Sequence, residues 1–122
     1  MDMARAGAEV PNTDGPGRRY RRFELAFPVR MKIQSTEPVT EIEAVSKNVS
    51  IGGLLVRASL PVPEHTAVTF VLSVHGKQAV RPIHLIGEGE IVRVEREDQE
   101  RNYVLAVKCN VPLAELVEFL PA

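Results

Sequence analysis

The sequence predicts an all-β domain with a C-terminal helix, its six strands forming an antiparallel sheet closed into a small barrel. Three observations carry this. Short segments of alternating hydrophobicity recur along the chain, separated by turns containing Gly and Pro. The apolar residues are mostly Val, Leu and Ile, with four Phe, two Tyr and no Trp, a β-branched bias that suits pleated strands. One long segment changes the parity of its apolar positions midway, as a strand does where it bends around a small barrel. At 122 residues there is room for one modest core and not for two.

The elements follow in order. Residues 1–17 have no hydrophobic period and contain Gly7, Pro11, Asp14, Gly15, Pro16 and Gly17, which predicts a flexible tail ahead of a domain spanning 18–122. Ala26 to Gln34 alternates, with Phe27, Val29, Met31 and Ile33 facing inward; Pro28 lacks an N–H and suits a first or edge position. Thr36-Glu37-Pro38 turns the chain into a second strand, Val39 to Ser46, with Ile42 and Ala44 inward. Asn48-Val49-Ser50-Ile51-Gly52-Gly53 then interrupts the pattern, and its glycines suit a tight turn or a close approach. A third strand, Leu54 to Ala58, ends before Pro61 and Pro63. Ala67 to Val74 alternates again, with Val68, Phe70, Leu72 and Val74 inward, and His75-Gly76-Lys77 forms a hairpin turn.

Ile83 to Glu95 is the strand whose parity slips. Ile83 and Leu85 are odd, Val92 and Val94 even, and Gly87 and Gly89 are the expected places for the bend. Glu95 to Arg101 is a charged turn. Tyr103, Leu105, Val107 and Cys109 form the inward face of the last strand. Pro112 suits the first turn of a helix in which Leu113, Leu116, Val117 and Leu120 share one face and Glu115 and Glu118 the other.

Charge narrows the function classes. The net charge is −1, which argues against a binder of nucleic-acid polymers. It is unevenly spread: from Arg18 to Lys32 six cations face one anion, and from Glu88 to Arg101 six acids face three arginines. A local basic patch on a near-neutral domain suits a small anionic ligand. Cys109 is the single cysteine, so neither an internal disulfide nor a cysteine metal cluster can form. His65, His75 and His84 lack metal-ligand spacing. With no apolar run of about 18 residues and no signal-peptide pattern, the expected location is the cytoplasm, without membrane insertion. No catalytic set, metal site, cofactor motif or phosphate-cradling glycine loop is present, so no enzyme is expected.

The arginines invite a ligand. Guanidinium groups bond phosphates and the Hoogsteen edge of guanine in bidentate fashion and stack on planar rings. Arg18 and Arg22 stand four apart, and Asn48 and Ser50, two apart, share a face of an extended chain.

Arg18-x-x-x-Arg22 followed by Asn48-x-Ser50-x-x-Gly53, with Phe23, Pro28-Val29 and Gly-Gly-Leu-Leu-Val in step, resembles the PilZ domain family over about residues 18–120. The resemblance implies a six-stranded β-barrel with a C-terminal helix that binds the second messenger cyclic di-GMP. It further implies that Arg18 and Arg22 clamp guanines and phosphates from the N-terminal loop, that Asn48 and Ser50 meet a guanine and its ribose or phosphate, and that Gly53 leaves room for their approach. Arg19 and Arg21 would be helpers. Asn48 stands where many members carry Asp, which keeps an acceptor and adds a donor. The expected function is a receptor or adaptor whose arginine loop folds onto the barrel with the ligand and alters the surface offered to a partner protein. The alternatives are a barrel of the same family acting only through protein contacts, and a weak single-strand nucleic-acid binder.

Overall fold

Alternating side chains give each strand an apolar side, and six such sides meet in one interior. The computed structural model describes residues 20–34, 39–75, 81–97 and 101–120. The N-terminal tail, Arg18, Arg19, the Thr36-Glu37-Pro38 turn, Gly76 and Lys77 of the hairpin, and 98–100 of the charged turn lie outside them. The strands are β1 (Pro28–Ile33), β2 (Thr40–Ser50), β3 (Gly53–Ala58), β4 (Ala67–Val74), β5 (Ile83–Arg96) and β6 (Tyr103–Cys109). They close in the order β1-β2-β3-β6-β5-β4, and every neighbouring pair is antiparallel. Among the described residues no helix is long and apolar enough to cross a membrane.

The predicted inward residues of β1, β2, β4 and β6 do fill the barrel. Met31, Phe70, Leu72, Leu105 and Val107 are fully buried, and Ile42, Ala44 and Cys109 are buried beside them. Pro28 opens β1, where its missing N–H costs no ladder bond. Burial pushes the Cys109 thiol up to about 11, so it stays protonated.

Three features depart from the sequence reading. The parity slip in β5 lies between Ile91 and Arg93, where the register with β6 shifts and Val92 is the extra residue, rather than at the glycines. Gly87 and Gly89 serve close approach instead: a Cβ on Gly87 would run into the Phe70 ring, and one on Gly89 into the Lys108 carbonyl. Ile83, expected inside, is 42% exposed. It sits where β5 pairs with β4 alone, because β6 joins only from Gly89 onward.

The second departure is in β2, which continues through Asn48 to Ser50 rather than stopping at Ser46. Its register with β3 shifts between Ser46 and Asn48, leaving Lys47 as the extra residue.

Third, the C-terminal helix is a 3-10 helix, Ala114–Phe119. With three residues per turn, Leu113, Leu116 and Phe119 line up against the barrel, and Val117, assigned inward on an α-helical period, is 57% exposed. Pro112 precedes the helix, and Leu113 is its N-cap.

Candidate functional site

The segment before β1 is tied to β2 by three groups. Phe23 and Val49 exchange both backbone hydrogen bonds, each 2.9 Å. The Ser46 hydroxyl accepts the Phe27 N–H at 2.8 Å and donates to the Leu25 carbonyl. The Ser46 N–H donates to the Phe27 carbonyl at 2.9 Å. Residues 23–27 therefore run beside the second half of β2, with Phe23 packed on the core. Alternation sends Arg22 to the other side from Phe23. There it lines a pocket with Asn48, Ser50 and Gly53.

The bulge at Lys47 is what points Asn48 and Ser50 at this pocket. Before it, the even residues Ile42, Ala44 and Ser46 are buried; after it, Val49 is fully buried and Asn48 is half-buried on the outer face, while Ser50 is buried in the turn that follows. Without the extra residue both polar side chains would enter the core.

Ser50 is 2% exposed, and its hydroxyl works within its own turn. It accepts the N–H groups of Gly52 and Gly53, each at 3.2 Å, and donates to the Gly53 carbonyl at 3.3 Å. One donor and two lone pairs are thereby all engaged. The turn is held from outside as well: the Gly52 carbonyl accepts the Cys109 N–H at 3.0 Å, and the Ile51 carbonyl accepts the Leu113 N–H at 2.6 Å. The site's turn is thus bonded directly to β6 and to the start of the 3-10 helix.

The rest of the pocket comes from β3, β6 and β5. Asn48 pairs with Leu55, Leu55 with Ala106, and Ala106 with Arg93, so the four form one row across four strands. Arg93, which sequence reasoning did not single out, lines the pocket opposite Asn48. Leu55 and Ala106 make an apolar floor between the polar walls. The described lining contains two arginines and no carboxylate, which favours an anionic or acceptor-rich, flat-faced ligand.

The remaining arginines of the sequence reading fall elsewhere. Arg21 lies over the Phe23 ring, 4.9 Å from its centroid, on the other side of the segment from Arg22. Arg18 and Arg19 lie outside the described residues. One row away, Arg57 holds Glu97 in a bidentate pair at 2.7 and 3.0 Å, and Lys47 stands 3.6 Å from the same carboxylate. The Arg57 hydrogen bonds hold Glu97 below the usual carboxylate range, with Lys47 adding to the effect. Among the described residues no group of three or more His, Cys, Asp or Glu could hold a metal ion.

The PilZ domain model matches residues 16–120. In fold the chain is similar to the Bacillus subtilis inhibitor of motility (MotI/DgrA), with a TM-score of 0.67 and 15% identity over 84% of this chain; it spans about half, 47%, of that protein. It is also similar to the PilZ domain of CeSA from a cellulose-synthesizing bacterium, with a TM-score of 0.50 and 19% identity, covering 72% of this chain and 80% of that one. Among curated proteins no sequence matches it. A match over most of its length, on a closed six-stranded barrel, places this chain in the PilZ domain family, non-catalytic receptor domains that typically bind cyclic di-GMP.

Proposed function

We propose that this chain is a cyclic di-GMP receptor acting in the cytoplasm, in which the ligand clamps the N-terminal arginine segment onto the barrel and changes the surface offered to a partner protein. The observation that carries it is the convergence of Arg22 and Asn48 on one outward pocket whose described lining holds no carboxylate, brought about by the Phe23–Val49 bridge and the Lys47 bulge.

The ligand carries two phosphate charges and two guanines. Arg22, joined by Arg18, bonds its phosphates and guanine edges in bidentate fashion. Asn48 offers a donor and an acceptor to a guanine. Ser50 acts chiefly by holding Gly52 and Gly53, whose compact backbone lets the ligand approach. Arg19 and Arg21 add positive potential. Each charge-assisted hydrogen bond contributes roughly 1.5–3 kcal/mol, and ordering the arginine segment costs about 2–5 kcal/mol of the gross interaction.

The bonds from the site's turn to β6 and the 3-10 helix supply a route by which occupancy reaches a second surface. Calorimetric titration with cyclic di-GMP tests this reading. Binding is expected with the wild type, weakened about 5- to 150-fold by Arg22→Ala. No heat at tens of micromolar from folded protein would overturn it and favour the reading in which the domain works through protein contacts alone.

A further inference from the structure

We propose that Arg93 is a third cationic contact for the ligand, presented from the opposite end of the same face by the β5 bulge and occupied by Glu95 until the ligand displaces it. This rests on the cyclic di-GMP reading above and names a residue outside the two motifs that suggested it.

The geometry rests on two register shifts. On β2 the extra residue Lys47 turns Asn48 outward; on β5 the extra residue Val92 does the same for Arg93. Before the β5 bulge, the odd residues Leu85 and Ile91 are buried; after it, Val94 packs against the core, and Arg93 and Glu95 face out. On an unbroken strand Arg93 would point into the barrel, where an unpaired guanidinium could not be accommodated. Bulges occur preferentially where a side chain is re-aimed at a site, and here two of them flank the same pocket.

The row from Asn48 through Leu55 and Ala106 to Arg93 crosses three strand spacings, about 14 Å at ~4.8 Å each. A purine laid along that row, once the side chains over it part, would have an apolar floor and polar contacts at both ends. Ala106 is 2% exposed although it points outward, so the surrounding side chains cover the floor and part when a ring is laid on it.

Arg93 is also suitably held. Its Nε lies 3.2 Å from Glu95 Oε2, and the two side chains are 44% and 61% exposed. An exposed pair of this kind is weakly bound and exchanges readily for a better acceptor. A phosphate, or the O6 and N7 of guanine, offers the guanidinium two acceptors in place of one. Glu95 therefore acts as a mild internal competitor.

The test is calorimetric titration of cyclic di-GMP into the wild type, Arg93→Ala, Glu95→Gln and the double variant, each checked for unchanged thermal unfolding. Arg93→Ala is expected to weaken binding about 10- to 100-fold. Glu95→Gln is expected to tighten it a few-fold at low salt, and to have no effect once Arg93 is gone. Wild-type affinity in Arg93→Ala, or a Glu95→Gln effect that persists without Arg93, overturns the proposal while leaving the receptor reading intact. Absence of binding in the folded wild type removes both.

Discussion

Ser46 shows how much one buried hydroxyl holds in this molecule. It is 3% exposed and joins the Phe27 N–H and the Leu25 carbonyl, fixing the segment that carries Arg22. Removing the hydroxyl leaves a buried N–H without its partner, so Ser46→Ala is expected to lower the unfolding free energy by about 1–3 kcal/mol, read from the denaturation midpoint. Cys109 gives a second residue-scale test. Its raised thiol should be inert to a thiol reagent in the native state and react on unfolding. Because the folded value lies above the unfolded one, its contribution to stability is complete below about pH 8.5 and is lost as pH rises towards 11. Glu97 has the opposite sign: its lowered value gives stability above the unfolded carboxylate range that is lost as pH falls through the folded one. At this scale the motif pair anticipated that Arg22, Asn48 and Ser50 line one pocket. Arg93 was not, because its direction is known only once the bulge at Val92 is located.

Among the elements, alternation alone located β1, β4 and β6 with their inward faces, since a period of two admits no other arrangement. Bulges hide from that rule. In β5 the glycines drew attention to the wrong place, because small residues mark close contacts as often as bends, and here they accommodate Phe70 and the Lys108 carbonyl. The terminal helix misled for a related reason. Leu113, Leu116, Val117 and Leu120 fit an α period, while Leu113, Leu116 and Phe119 fit a 3-10 period equally well, and only the packing decides. A pair of substitutions separates the two. Leu116→Ala is expected to cost about 2–5 kcal/mol, and Val117→Ala, at an exposed position, no more than about 0.5 kcal/mol. Equal losses in thermal or chemical unfolding would argue for an α-helical face.

At the scale of the whole molecule, closure removes every sheet edge, so the barrel presents curved faces rather than strands to its surroundings. One face, crossing β2, β3, β6 and β5, carries the two bulges, the apolar floor and the pocket arginines. The β1–β4 side has no part in that row. Titration of isotope-labelled protein with cyclic di-GMP, followed by amide chemical shifts, reads binding and its location together. Saturable shifts are expected at Arg22, Asn48 to Gly53, Leu55, Ala106 and Arg93, extending to Cys109 and Leu113 through the hydrogen bonds from the turn. Spectra of folded protein unchanged by the ligand, or shifts confined to β1 and β4, would contradict the proposed site.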